Sequence, residues 1–319
     1  MPLKIVIAGG SGQVGSMLAA SLDKNGHEVV ILSRSPSSNN FKTIQWDAET
    51  LGKWVKELDG SDVIINMAGR SVNCRYTKKN RKLILESRVN STKIIGKAIQ
   101  TLKRPPFAWL QSSTATIYAH TFDKANDEAS GMIGGKETGI PKKWNFSIKV
   151  AQAWEETLTD ADVSSTRKVA LRSAIILSPD KGGIFDTLLS LVRFGLGGKA
   201  GSGKQFVSWI HYKDFIKSIY WLIENKEFDG IVNLASPNPL PFTKFMKDIR
   251  SAWERRLGLP ATKFMLEIGA FFLRTETELI LKSRKVVPGR LLDSDFSFDY
   301  PLWDTAVVDL VARWKTQKR

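Results

Sequence analysis

Short β-branched runs alternate with amphipathic stretches through the first half of the chain. Residues 4–8, 28–33, 43–45, 62–67 and 107–112 read as strands, and residues 14–24, 51–58 and 80–101 as helices, the last stopped before Pro105-Pro106. Strand and helix in strict alternation predict a parallel sheet wound on both faces. A helix over 145–157 and a strand over 168–177 extend the same pattern.

Two stretches depart from it. Residues 119–144 are rich in Gly, Asp, Lys and Ser with little periodicity, which predicts a long surface loop over the strand ends. From Gly182-Gly183 through Gly203 the texture becomes glycine-rich and a second, smaller unit begins. A helix over 214–224 and a strand over 231–234 then return to the sheet, and from Phe242 onward the pattern is mostly helical. The expected fold is α/β, a Rossmann-type doubly wound parallel sheet with a smaller, mostly helical C-terminal substrate domain. Residues 1–178, with 208–236 returning to them, form the nucleotide-binding unit; 179–207 and 237–319 form the smaller one.

The junction of the first strand and first helix carries chemistry. Gly9, Gly12 and Gly15 stand three apart after the run Lys4-Ile5-Val6-Ile7-Ala8. In such a turn the first glycine permits the reversal, the second lets backbone amides approach a pyrophosphate and the third packs helix on strand. Ser11, Gln13 and Val14 fill the turn, and the helix N-terminus supplies the positive end of its dipole. The second strand ends in Ser33-Arg34, where an NAD site carries an acidic residue. A hydroxyl beside a guanidinium suits a 2′-phosphate, so NADP(H) is preferred over NAD(H). Met67, Ala68 and Gly69 end the fourth strand with little bulk and leave room for a cofactor ribose.

Composition narrows the alternatives. The 319 residues suffice for about two domains. One cysteine, Cys74, and three scattered histidines, His27, His120 and His211, offer no disulfide and no metal centre. No apolar run approaches the roughly 18 residues that span a bilayer, and the first strand begins within a few residues of Met1, so a cytoplasmic protein without a membrane partner is expected. The formal charge of +15 raises nucleic acid as a partner. The cations are dispersed, with short clusters at 75–82 and 282–290, and no nucleic-acid motif accompanies them, so nucleic-acid binding is not expected.

These motifs, with Gln111-Ser112-Ser113-Thr114-Ala115-Thr116-Ile117-Tyr118 ending the fifth strand, resemble the extended short-chain dehydrogenase/reductase superfamily, which includes nucleotide-sugar epimerases. Glu86-Ser87-Arg88, Gly195-Leu196-Gly197-Gly198, Gly201-Ser202-Gly203-Lys204-Gln205, Trp209-Ile210-His211 and Pro288-Gly289-Arg290-Leu291 are similar to an atypical epimerase-like branch. That branch carries a C-terminal domain of unknown function. The resemblance spans nearly the whole chain and implies that Arg88 reaches a cofactor phosphate.

The superfamily's chemistry uses a Tyr-x-x-x-Lys pair, whose lysine lowers the phenol pKa for proton exchange with substrate. None of the five tyrosines here has lysine four residues on. By the resemblance Phe146 stands in the tyrosine place and Val150 in the lysine place. Thr114 fits the position of a substrate-orienting hydroxyl, and Tyr118, four residues beyond, offers the nearest phenol; these two are the catalytic candidates. Lys149 and His211 are weaker ones, read mainly as an exposed cation and a structural histidine. Phe185, Phe194 and Phe206 with Arg193 and Lys204 suggest a cleft for a nucleotide sugar, whereas Trp154 and Trp221 sit at core spacing. Two readings stay open: an NADP(H)-dependent oxidoreductase or epimerase-like enzyme acting on a nucleotide sugar or small carbonyl, and a non-catalytic NADP(H)-binding redox sensor.

Overall fold

Every residue of the first strand except its first is fully buried, and alternate side chains enter different cores. In β1 (Lys4–Ala8), Ile5 and Ile7 face one side of the sheet and Val6 and Ala8 the other. A strand covered on both faces gains nothing from polar alternation, which is why its run is continuously apolar. The computed structural model describes residues 1–35, 41–261 and 276–317.

After β1 come α1 (Gln13–Lys24), β2 (Glu28–Ser33), β3 (Lys42–Gln45), α2 (Val55–Leu58), β4 (Val63–Asn66), α3 (Lys78–Gln100) and β5 (Ala108–Thr114). There follow α4 (Asn145–Thr159), β6 (Arg167–Ser173), β7 (Ile175–Leu177), α5 (Ile184–Arg193), β8 (Phe206–Val207), β9 (Trp209–His211), α6 (Tyr212–Glu224) and β10 (Gly230–Leu234). The described chain ends with β11 (Leu240–Pro241), α7 (Phe242–Ala252), α8 (Glu278–Leu281), α9 (Gly289–Leu292) and α10 (Trp303–Thr316).

Seven strands form one sheet in the order β10-β6-β5-β4-β1-β2-β3, every pair parallel. Strand order reverses between β1 and β4, so the chain departs in opposite directions from their carboxyl ends and leaves a crevice there. Helices α1 and α6 cover one face through Leu18, Leu22, Phe215 and Ile219. Helices α3 and α4 cover the other through Ile94, Ile95, Ala98 and Leu158. Thr77 starts α3 by accepting a hydrogen bond from the Asn80 amide at 3.2 Å, satisfying one of the orphan donors of the first turn.

A third core lies outside the sheet. Phe185, Leu189 and Val192 of α5 meet Phe245, Met246 and Ile249 of α7 and Trp303, Val307 and Leu310 of α10. Here the fold departs from the reading of residues 168–177 as one strand. Ala174 donates its amide to Leu234 O at 2.9 Å and ends the run; β7 then leaves the main sheet and pairs with β9, carrying Leu177 and Trp209 into the third core. The helix expected over 51–58 is confined to Val55–Leu58, because Asp47 holds the preceding turn through the amides of Glu49 and Thr50, both at 2.9 Å. Part of the helical stretch expected after Phe242, residues 262–275, lies outside the described residues.

Candidate functional site: a cleft of two joined hollows

The crevice at the β1/β4 reversal opens into two hollows that share Gly9, Gly12 and Met67. The outer one, of about 310 Å³, lies over the ends of β1, β2 and β4 and is lined by Ser11, Ser33, Arg34, Ala68 and Gly69 among others. The inner one, of about 460 Å³, runs past Gln13, Val14, Gly15 and Arg88 to Ser112, Thr114, Phe146, Ser147 and Val150. A dinucleotide has the same division: an adenosine half and a nicotinamide half joined by a pyrophosphate.

The three glycines of the turn are required for different reasons. Gly9 adopts φ +75°, and a Cβ there would lie 2.8 Å from the Ala68 backbone. At Gly15 a Cβ would lie 2.6 Å from Gly10 Cα, so helix and turn touch only because it is absent. Gly12 differs. Its φ is −75°, open to any residue, and a Cβ would meet nothing nearer than Gly9 O at 3.4 Å. The fold therefore leaves space over Gly12 that it does not itself use. Gly12 is also the N-cap of α1, and no side chain caps that end, so its amides face the cleft with the dipole's positive end.

Arg88 lies under the inner hollow. It donates to the backbone oxygens of Arg70 (3.1 Å) and Ile84 (3.0 Å), and its guanidinium sits 5.0 Å from the Trp154 ring. Burial pulls its pKa down to about 10, and no carboxylate pairs with it among the described residues. A half-buried cation paired only with carbonyls and an aromatic face has capacity left for an anion. An uncapped helix start, unused space over Gly12 and this guanidinium together fit a dinucleotide pyrophosphate. At the outer end Ser11 Oγ and Ser33 Oγ are 2.9 Å apart beside the exposed Arg34.

Thr114 lines the inner hollow. Its Oγ1 accepts the Thr116 amide at 3.1 Å, which leaves the hydroxyl proton free to be donated. Tyr118 is the exception among the expected site residues and lines neither hollow. It is 2% exposed, donates to Asn233 Oδ1 at 3.0 Å and lies under the Arg172 guanidinium, 4.9 Å away. The short helical turn at 115–117 carries it away from the cleft.

The two replaced positions of α4 do face the inner hollow. Phe146 and Val150 both line it, and Phe146 packs edge-on to Tyr76 at 5.1 Å with Arg81 5.2 Å over its ring. Lys149 points to solvent. His211 caps α6 by accepting the Lys213 amide at 3.3 Å, stacks on Tyr300 at 3.8 Å and stays neutral, since burial depresses its pKa to about 4. Trp154 is a core residue that also walls the inner hollow.

The aromatic cleft expected from the glycine-rich segment does not form. Phe185 is fully buried in the third core, Phe194 is 78% exposed, and Arg193 is held between Trp253 and Trp314. Sequence reasoning missed Tyr76, Ser147 and Glu278, which meet at the far wall. Tyr76 stands in a loop without periodicity, and Glu278 lies 131 residues from the Ser147 hydroxyl that it accepts, so no local pattern announces either.

No helix among the described residues is long and apolar enough to cross a membrane, and no cluster of His, Cys, Asp or Glu among them is arranged to hold a metal.

Comparison with known proteins agrees with this geometry. Residues 5–235 match the model of the NAD dependent epimerase/dehydratase family, and residues 261–310 match a domain of unknown function, DUF1731. The chain is 31% identical over 98% of its length to the whole of the epimerase family protein YfhF of Bacillus subtilis. It is similar to the crystal structure of human epimerase family protein SDR39U1 with NADPH, at 28% identity and a TM-score of 0.84, covering 97% of this chain and 99% of that one. It is also similar to a nucleoside-diphosphate sugar epimerase from Corynebacterium glutamicum, at 26% identity and a TM-score of 0.76, over all of this chain and 62% of that one.

Proposed function

The chain belongs to the NAD dependent epimerase/dehydratase family, and from that premise we propose that it binds NADP(H) across the two hollows and turns over a small carbonyl or hydroxyl substrate, free or linked to a nucleotide, in the inner one. The observation that carries this reading is the pair of hollows that share Gly9, Gly12 and Met67 as walls, with Arg34 lining one and Thr114 the other. The similarity to a relative crystallised with NADPH supports the choice of phosphorylated cofactor.

Gly9, Gly12, Gln13, Val14 and Gly15 hold the pyrophosphate on the start of α1, and Arg88 neutralises it from below. Ser11, Ser33 and Arg34 take the 2′-phosphate, while Met67, Ala68 and Gly69 bed the riboses. When bound, the nicotinamide exchanges hydride with substrate carbon. Thr114 donates its free hydroxyl proton as a hydrogen bond to the substrate oxygen and so orients it. The inner hollow must house nicotinamide riboside and substrate together, and at about 460 Å³ it suits a compact reacting group. The similarity to a nucleoside-diphosphate sugar epimerase supports a sugar nucleotide reaching in from outside.

Fluorescence titration with NADPH and NADH tests the cofactor. NADPH is expected to bind more tightly by ~10-fold or more, the worth of one charge-assisted contact; equal affinity refutes the reading of Arg34. The NADPH-loaded protein is then offered carbonyls and sugar nucleotides while nicotinamide absorbance is followed. Phe146 and Val150 favour a second reading, a cofactor-binding sensor without turnover. NADPH binding with no oxidation by any substrate class would decide for it.

A further inference from the structure

Phe146 removes the phenol from α4, yet the polar groups beside it are not scattered. Ser147 and Tyr76 both line the inner hollow. Ser147 Oγ donates to Glu278 Oε2 at 2.8 Å. Glu278 is only 2% exposed, and its Oε1 has no hydrogen-bond partner among the described residues. Tyr76 is fastened to the same C-terminal segment, since its amide donates to Glu276 Oε1 at 2.8 Å. The segment is in turn pinned to the β5 end: Lys282 Nζ donates to Thr116 O at 2.8 Å and Arg284 Nε to Thr116 Oγ1 at 3.2 Å. A buried carboxyl, one hydroxyl away from a cofactor-sized hollow, is costly to keep and serves the surrounding packing poorly.

We propose that Ser147 and Glu278 replace the missing Tyr-x-x-x-Lys pair, Ser147 exchanging a proton with the substrate oxygen and Glu278 storing that proton behind it. The proposal rests on the NADP(H)-dependent reading of the cleft. In one direction Ser147 Oγ gives its proton to the substrate oxygen, takes the carboxyl proton of Glu278 in its place and leaves a carboxylate. In the other, Oγ accepts the substrate hydroxyl's proton and passes its own to Oε2. Ser147 ends unchanged each way, and the negative charge rests on Glu278 between Arg284 and Lys282. Ser147 is the catalytic residue; Glu278 acts through it. Tyr76 has a supporting part. Burial and the nearby Glu278 push its phenol up to about 12, so it keeps its proton.

The electrostatics suit a proton store. Burial raises the Glu278 pKa and Glu276 adds to the rise, while Arg284, Lys282 and the Ser147 hydroxyl act against it; the balance is upward. A carboxyl so tuned holds a proton nearer neutrality than an ordinary one, as a general acid requires. These groups, with Tyr76, are those that face it.

The test uses the full chain labelled with ¹³C at glutamate carboxyls, with the Glu278 resonance assigned by its absence in Glu278→Gln. The expected result is a resonance that titrates above the ordinary carboxylate range and moves in Ser147→Ala, a mild change that leaves the backbone intact. The positively charged nicotinamide ring of NADP⁺ should lower that titration relative to the neutral ring of NADPH. A Glu278 carboxyl that titrates in the ordinary range, or that neither Ser147→Ala nor the cofactor's charge moves, overturns the proposal. Cofactor binding is followed separately by fluorescence, so a protein that binds no dinucleotide refutes the cleft reading without being confused with failure of the relay. With any substrate that is turned over, Glu278→Gln should lower kcat by ~10²-fold or more with KM little changed, and abolish the limb of the pH profile that Glu278 sets. Glu278→Asp should restore part of it. An unaltered pH profile in Glu278→Gln would also overturn the assignment.

Discussion

The two hollows of the cleft are built in opposite ways. The lining of the outer one comes entirely from residues between Gly9 and Asn90, at the ends of β1, β2 and β4, in the turn after β3 and along one side of α3. The inner one draws on residues from Gly9 to Leu279, and behind it stand Glu278, Lys282 and Arg284, whose protonation is displaced chiefly by burial. Recognition of a dinucleotide needs only amides, a helix end and an absence of bulk, which a short contiguous motif supplies. Proton chemistry needs titratable groups in a dry place, and only tertiary packing removes water. Relatives can therefore share the outer half while the inner half is rebuilt.

The largest effect is expected where the halves join. Gly12→Val should abolish binding of NADPH and NADH alike while costing only about 1 kcal/mol of stability, the loss of a favoured N-cap residue, because a Cβ there meets nothing nearer than Gly9 O at 3.4 Å. Gly15→Ala should act first on stability. Its methyl group would press on Gly10 Cα from 2.6 Å, and overpacking of this kind costs about 1–3 kcal/mol of fold stability. Titration calorimetry and chemical denaturation on both variants separate the roles. Tight cofactor binding by Gly12→Val would show that the pyrophosphate lies elsewhere.

The same contrast explains what the sequence disclosed. Strands β1, β2, β4 and β5 and the turn between β1 and α1 are local, and their residues announce them through periodicity and glycine spacing. Arg88 was legible only through a motif resemblance, for nothing in α3 itself says that its guanidinium lies under the cleft. Residues 168–177 look like one strand because nothing at Ala174 breaks the run; where the chain changes sheets is set by β9, more than thirty residues later, which pairs with β7. Tyr118 looked catalytic because it follows Thr114 closely, but the turn at 115–117 delivers its hydroxyl to Asn233. Tyr76 and Glu278 belong to the cleft by long-range packing alone, which no spacing records.

The inner wall's electrostatic stress should be measurable as a pH dependence. Burial, with Arg284 nearby, lowers the Lys282 pKa from its usual 10.5 to about 8, against the pull of Glu278 and Glu137. Between those values the unfolded chain binds more protons than the folded one, so this group's contribution makes stability rise with pH from about 8 to 10.5. Below about 8 the full penalty, about 3 kcal/mol, applies. Lys282→Met should therefore stabilise the protein at neutral pH, less the bond to Thr116 O, and the gain should vanish toward pH 10.5. Denaturation of both proteins across this range is the check, and a gain independent of pH would mean that packing, not charge, is responsible.

A smaller effect, confined to the outer hollow, comes from Arg34→Ala. An exposed guanidinium on a phosphate is worth about 1–2 kcal/mol, so NADPH should bind ~5- to 30-fold more weakly and NADH almost unchanged. Equal losses for the two cofactors would remove Arg34 from 2′-phosphate recognition and leave Ser11 and Ser33 of the same hollow as the source of any preference.

The smallest expected effect separates charge from positioning within that hollow. Ser11 and Ser33 hydroxyls bond across the ends of β1 and β2 at 2.9 Å, and Ser33 Oγ also accepts the Ser35 amide at 3.3 Å. If the guanidinium supplies the charge that reads the phosphate, this pair adds only neutral hydrogen bonds beside it. Ser11→Ala then removes one neutral hydrogen bond, about 0.5–1.5 kcal/mol at most and partly recovered because Ser33 keeps its second partner. NADPH affinity should fall no more than a few-fold, and the ratio of NADPH to NADH affinity should hold. A fall in that ratio as large as the one from Arg34→Ala would instead assign discrimination to the hydroxyl pair. The outer half would then resemble the inner one, with its selectivity resting on a contact between strands that sequence spacing does not reveal.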